Sequence, residues 1–242
     1  MSTWLEGTVT ENRAWTQALF SLRVEGARVS FEAGQFVRIA LDIDGERVAR
    51  PFSFVNPPQD PVLEFYGIVV PEGPLSPRLA RLRPGDALYV ASNPAGFLVL
   101  SEVPDAQTLW LLSTGTGIAP FLSMLRTDVP WKRFRNIVLV HAVRHARELV
   151  YQEVMRGMQA LKYVTFVSRE AHPGSLTGRI PQAIADGRLE AAAGLALTPE
   201  ASQVLLCGNP DMLKDGIAAL AARGMRKHRR RAPGQITAER FW

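Results

Sequence analysis

Apolar and polar side chains alternate through Ala18-Leu19-Phe20-Ser21-Leu22-Arg23-Val24, and again through Gln35-Phe36-Val37-Arg38-Ile39-Ala40-Leu41. A period of two marks a half-buried strand. Asp44-Gly45 supplies a tight turn after the second. Further strands are expected at Arg47–Val55, Val62–Val70 and Asp86–Ala91, with Pro57-Pro58, Pro71, Gly73-Pro74 and Pro84-Gly85 as punctuation. Short strands at this spacing predict an antiparallel barrel or sandwich.

Beyond residue 100 the period changes. Thr108–Ser113, Asn136–Ala142, Tyr163–Ser168 and Ser202–Cys207 are continuous apolar runs. Helices are predicted near Ile118–Arg126, Glu148–Leu161, Ile180–Asp186 and Pro210–Arg223. Buried runs alternating with helices predict a parallel sheet covered on both faces. Such sheets bind ligands at the carboxyl ends of their strands. There is no internal repeat and no low-complexity linker, so a boundary is expected near Leu100–Ala106.

Composition narrows the classes. A chain of 242 residues suits two compact domains. No apolar run approaches the ~20 residues that span a bilayer. Met1-Ser2-Thr3-Trp4-Leu5-Glu6 lacks the charge-then-apolar order of a secretory signal. The single cysteine, Cys207, excludes an intramolecular disulfide and a cysteine-ligated iron–sulfur cluster. A cytoplasmic enzyme is expected. The formal charge is +5, with much of the excess in Lys227-His228-Arg229-Arg230-Arg231. That run reads as a solvated face or as a surface that steers an acidic partner. No helix-turn-helix, zinc-finger spacing or aromatic RNA-binding motif supports nucleic acid.

Several short motifs carry possible chemistry. Ser113-Thr114-Gly115-Thr116-Gly117-Ile118-Ala119-Pro120 follows a buried run and opens a helix. Glycine lets a backbone approach a ligand and a helix start attracts a pyrophosphate, although Ala119-Pro120 replaces the later glycine of the full fingerprint. It reads equally as a tight strand–helix turn. Arg144 follows the second run, Arg169 (beside Ser168) the third, and Arg179 the turn Ser175-Leu176-Thr177-Gly178. One arginine there is a surface charge; three suggest a phosphate-bearing ligand, because guanidinium presents a planar fork of donors. Cys207-Gly208-Asn209-Pro210 is a buried cysteine before a helix start, or a slim side chain beside a flat ring. In Arg50-Pro51-Phe52-Ser53, alternation puts Arg50 and Phe52 on one face, as in any strand with a core phenylalanine. Ala238-Glu239-Arg240-Phe241-Trp242 carries two aromatics, suggesting a docked tail or a plug in a hydrophobic seam. His141, His145, His172 and His228 show no zinc-protease spacing, so neither a metal site nor a catalytic histidine is expected.

Taken in order, Arg50-Pro51-Phe52-Ser53, Gly73-Pro74-Leu75-Ser76, Gly115-Thr116-Gly117-Ile118-Ala119-Pro120, Val167-Ser168-Arg169, Leu176-Thr177-Gly178-Arg179, Cys207-Gly208-Asn209-Pro210 and the aromatic C-terminus are specific. With them the chain resembles the bacterial class of plant-type ferredoxin/flavodoxin–NADP reductases. The resemblance implies a two-domain α+β fold. An antiparallel six-stranded FAD-binding β-barrel (residues 1–102) precedes a parallel α/β NADP(H)-binding domain (103–242). It implies FAD contacts at Arg50, Pro51, Phe52, Ser53, Tyr66, Gly67, Ile68, Val69, Pro74, Leu75, Ser76, Thr116, Phe241 and Trp242. NADP(H) contacts are implied at Arg144, Ser168, Arg169, Arg179, Asn209, Pro210 and Met212. Phe52, Ser53, Cys207, Glu239 and Phe241 are implied near the reacting rings. Phe52 stands where the family usually has tyrosine, keeping a stacking surface and losing a hydroxyl. The implied partner is an acidic ferredoxin or flavodoxin and the expected state a monomer. Rival readings are a flavin or siderophore reductase, an oxygenase reductase component without its own iron–sulfur domain, and a non-enzymatic basic binding protein.

Overall fold

A computed structural model describes residues 3–240. The first part of the chain supplies β1 (Trp4–Ala14), β2 (Leu19–Glu25), β3 (Phe36–Ile43), β4 (Glu46–Ser53), β5 (Leu63–Ile68), α1 (Ser76–Leu79) and β6 (Ala87–Ala91). These six strands form one sheet in the order β4-β3-β6-β1-β2-β5, with every pairing antiparallel. Its two outer strands meet where Phe54 bridges Phe65 and the Val55 amide donates to the Glu64 carbonyl, which curls the sheet toward a barrel. The β3–β4 turn is the expected Asp44-Gly45, both at positive φ (52° and 83°), where Ile43 pairs with Glu46. Inside lie Phe20, Leu22, Val24, Val37, Ile39, Phe54, Phe65, Leu88 and Val90, all buried. Each such side chain removed from water contributes about 1.5–3 kcal/mol.

The remainder supplies β7 (Thr108–Thr114), α2 (Ala119–Leu125), α3 (Val129–Arg133), β8 (Asn136–Val143), α4 (Gln152–Arg156), β9 (Leu161–Val167), α5 (Ile180–Ala185), α6 (Arg188–Ala193), β10 (Ser202–Gly208), α7 (Pro210–Ala222) and β11 (Ile236–Arg240). The five strands run in the order β11-β10-β7-β8-β9 and are all parallel. Trp110, Leu112, Val138, Val140, Phe166, Val204 and Leu206 pack on one face against Ile180 and Ile184 of α5, Leu189 of α6 and Leu213 and Leu220 of α7. This is the order expected of buried strands alternating with helices.

Two compact units emerge. One takes in the chain up to Val99 together with Ala119–Thr127; the other holds Leu100–Ile118 and everything from Asp128 onward. Helix α2 is therefore part of the barrel unit. The Ser123 hydroxyl donates to the Asn56 carbonyl at 2.7 Å, and Arg126 pairs with Glu64 at 2.9 Å while also donating to the Val55 carbonyl. Arg133 of α3 ties down the start of the second unit through Asp105 and the carbonyls of Leu100 and Val103.

The segment Glu148–Leu161, predicted as one helix, is not one. Leu149 and Val150 are not helical, Tyr151 sits in the left-handed region at φ 59°, and α4 is five residues long. Leu149 joins Val143 and Val167 in a small buried cluster, and Leu161 opens β9 opposite Ile137. Burial and strand pairing thus claim both ends of a segment whose apolar spacing alone reads as one helix. β1 and β11 escape the alternation because few of their side chains are buried apolar ones; in β1 only Val9 is.

Candidate functional site

In the barrel unit the candidate flavin surface gathers on β4, β5 and the loop into α1. Register sets Arg50 opposite Ile39 and Phe52 opposite Val37, so the two share a face as alternation requires. Arg50 is exposed, with its guanidinium donating to the Ala49 carbonyl at 2.8 Å. Phe52 and Ser53 are buried. The Phe52 ring meets Phe65 edge-on at 6.4 Å and closes over Gly67, where a Cβ would come within 2.8 Å of it. Tyr66 is fully buried beside Gly67. Ile68 and Val70 then turn outward, 41% and 53% exposed, an apolar pair of the kind a flat ring covers. The loop that follows is pinned: the Val70 amide donates to the Ser76 hydroxyl at 2.9 Å, Val69 donates to Ala18, and Leu75 is buried as an anchor beside exposed Pro74. An exposed guanidinium, outward apolar side chains and a fixed loop fit a flavin nucleotide.

In the second unit the candidate nucleotide surface is the carboxyl edge of the parallel sheet. Register aligns Glu239, Cys207, Ser113, His141 and Thr165 across all five strands, on one face. Burial, and then the Glu239 charge beside it, push the Cys207 thiol well above its ordinary range. Cys207 is therefore a neutral, slim wall and not a thiolate. After β7 the chain turns at Gly115, at φ 53°, where a Cβ would meet nothing within 4 Å. The next side chain, Thr116, is 2% exposed, and its hydroxyl has no hydrogen-bond partner among the described residues. An orphaned hydroxyl beside an open glycine turn fits a ligand with acceptor oxygens. Asn209 caps α7, its side-chain oxygen accepting from the amides of Asp211 (2.8 Å) and Met212 (3.3 Å), and its own amide donates to Thr114. Pro210 takes the first helical position and Met212 is buried in the core.

Arg144 and Arg169 stand where the loops after β8 and β9 begin, and Arg179 stands where the second of these loops ends. The Arg169 amide donates to the Arg144 carbonyl at 2.9 Å, so these two loops are adjacent, and Ser168 bonds the Val143 carbonyl through both amide and hydroxyl. Arg179 precedes α5, after a turn in which Leu176 extends the free edge of β9. Arg188 holds that turn through the Thr177 carbonyl at 3.0 Å. Arg144, Arg169 and Arg179 are exposed, and none has a carboxylate partner among the described residues. Unpaired guanidiniums at a sheet's ligand edge suit a phosphate.

Sequence reasoning missed the carboxylates that shape this edge. Glu148 accepts from the Arg144 and His145 amides, and Glu170 accepts from the Ala146 amide at 2.6 Å. That amide, and then the His145 side chain, hold the Glu170 carboxyl below its usual range. It also passed over buried His141, whose one signal was a polar residue inside an apolar run. Phe241 and Trp242 lie outside the described residues. Glu239 is paired in register with Cys207 at the end of β11. Among the described residues no cluster of His, Cys, Asp and Glu could hold a metal, and no helix is long and apolar enough to cross a membrane.

An antiparallel flavin barrel followed by a parallel nucleotide sheet defines a class of flavoprotein oxidoreductases that work with nicotinamide nucleotides. Residues 6–98 match the oxidoreductase FAD-binding domain family, and residues 111–216 match the oxidoreductase NAD-binding domain family. The chain is 52% identical to a flavodoxin/ferredoxin–NADP reductase of Shigella flexneri and 51% identical to one of Escherichia coli, over 100% of both chains in each case. A crystal structure of a ferredoxin NADP+ reductase from Neisseria gonorrhoeae with bound FAD and NADP superposes with a TM-score of 0.96, at 31% identity and full coverage of both chains. The chain belongs to the flavodoxin/ferredoxin–NADP reductase family.

Proposed function

We propose that this chain is an FAD-dependent reductase that exchanges hydride with NADP(H) and single electrons with a ferredoxin or flavodoxin. The observation that carries this is the end-to-end likeness, at about half identity, to relatives bearing that name. Bound flavin supplies the chemistry that joins a two-electron donor to a one-electron acceptor. The residues supply binding and orientation. Residues 1–102 hold FAD. Arg50 and Ser53 take its phosphates and ribityl chain, and Phe52, Tyr66, Gly67, Ile68 and Val69 face its rings. Pro74, Leu75 and Ser76 contact it through the pinned loop. Residues 103–242 hold NADP(H). Arg144, Ser168, Arg169 and Arg179 take its phosphates, Asn209, Pro210 and Met212 line the remainder, and Thr116 stands where flavin and nicotinamide meet. Cys207 and Glu239 serve the nicotinamide end, and likeness to the family assigns Phe241 to the flavin and Trp242 to the FAD adenine. The exposed cations of Lys227–Arg231 meet an acidic carrier, with Arg230 already held by Glu102. We take the working form to be a cytoplasmic monomer, which sedimentation and cell fractionation would check.

The purified protein should be yellow, bleach with NADPH, and be reoxidised rapidly by added ferredoxin or flavodoxin. Fast transfer to free flavin or a ferric siderophore, with neither carrier accelerating turnover, would favour the rival reductases. Coenzyme choice gives a sharper check. Arg169→Ala removes a charge-assisted bond of about 1.5–3 kcal/mol, so the KM for NADPH should rise about 10- to 100-fold. The KM for NADH should stay near its starting value. Equal losses with both would remove Arg169 from the 2′-phosphate.

A further inference from the structure

One buried polar chain in the nucleotide unit lies outside the proposed cofactor contacts. His141, near the carboxyl end of β8, is fully buried. Its Nε2 lies 3.2 Å from the Gly115 carbonyl, and its Nδ1 lies 3.4 Å from the Tyr163 hydroxyl on β9. A carbonyl can only accept, so Nε2 must carry the proton. Nδ1 is then the acceptor and the Tyr163 hydroxyl donates. Burial pulls the imidazole down to about 4, so the ring is neutral at working pH. The tautomer is fixed at both ends.

The bond lands on the peptide that leaves the glycine turn. In a trans peptide the C=O and the following N–H point in opposite directions. A Gly115 carbonyl held inward by His141 therefore aims the Thr116 amide outward, on the residue whose own buried hydroxyl lacks a partner. Gly115 is at positive φ and opens a single 3-10 turn, Gly115–Ile118, with open space where a side chain would stand, so the His141 bond holds this peptide from outside the turn. We infer that His141 is a positioning residue, which orients the Gly115–Thr116 peptide so that its amide meets the coenzyme's pyrophosphate. This rests on the reading of that turn as the NADP(H) site.

The test compares two ligands on FAD-loaded protein, by the flavin difference spectrum or calorimetry. NADP+ carries the pyrophosphate; adenosine 2′-monophosphate carries only the other end. His141→Leu should weaken NADP+ about tenfold and adenosine 2′-monophosphate by less than about twofold. A core defect without orientation would weaken both together, and that result, or unchanged NADP+ binding, overturns the inference. Should the leucine variant not fold, two amides decide. Glutamine places its NH2 near the position of Nε2, whereas asparagine reaches only to Nδ1. His141→Gln should keep NADP+ affinity within about twofold, and His141→Asn should lose about tenfold. Equal affinities for these two again overturn it. Gly115→Val separates the role of the turn from that of His141. If it weakens NADP+ while the His141 variants do not, only the inference falls. If it leaves NADP+ untouched, the turn is not the coenzyme's site and both fall.

Discussion

His141 couples stability to acidity. Its folded pKa is depressed to about 4 from an ordinary 6.5, with burial as the main cause and the Gly115 carbonyl opposing it. Between those values the unfolded chain binds a proton that the folded chain refuses. The residue therefore costs little at pH 7. Its cost grows as pH falls through 6.5 and levels off near 4, at about 3 kcal/mol. Thermal melts of wild type and His141→Gln should diverge on acidification in that window, with wild type falling faster. Parallel curves would mean that His141 titrates normally. At this scale the sequence was legible where a residue type has one obvious use. Arg144 and Arg169 sit just past strand ends without a carboxylate partner among the described residues, Arg179 precedes α5, and Asn209-Pro210 opens a helix. It was not legible where the use depends on a distant partner. Glu170 binds the amide of Ala146, far along the chain, that no spacing points to, and a histidine among valines and leucines carries no sign of the glycine it will hold.

Elements fared by how strongly their side chains are divided between inside and outside. β2, β3, β7, β8 and β10 were read within a residue or two of their observed bounds, because each shows alternation or a continuous buried run. β1 and β11 carry little buried apolar surface, so only pairing partners reveal them. The segment after Glu148 failed for the opposite reason. Its apolar spacing is helical, yet tertiary burial of Leu149 and the pairing of Leu161 override it. α2 was read from its motif, but not the packing that gives it to the barrel. That packing has a measurable strength. Arg126 and Glu64 are largely shielded from water, and Arg126 also satisfies the Val55 carbonyl. Arg126→Ala should lower stability by about 2 kcal/mol. The midpoint of thermal unfolding should fall by about 5 °C. A shift within about 1 °C would show that the pair is screened as an exposed one is.

For the molecule as a whole, the two halves were evident as two grammars, one alternating and one helical-and-buried, but a change of grammar marks where strands change kind and not where packing changes owner. The barrel unit ends at Val99 and resumes at Ala119. A fragment ending at Val99 lacks Ser123 over Asn56, Arg126 over Glu64, and Met124, whose methyl group lies against Gly34. It should unfold in urea at a lower midpoint and less cooperatively than the barrel strands of the intact chain, followed by circular dichroism. A transition as sharp and as late as that of the whole protein would show α2 to be dispensable. The same interruption bears on ancestry. A gene that codes one packing unit in two stretches cannot hand it over by a single crossover. A chimaera joined once near codon 100 inherits its helix from one parent and the barrel beneath it from the other. Lineages that traded sheets successfully should therefore carry double breakpoints that keep codons 119–127 with those before 100.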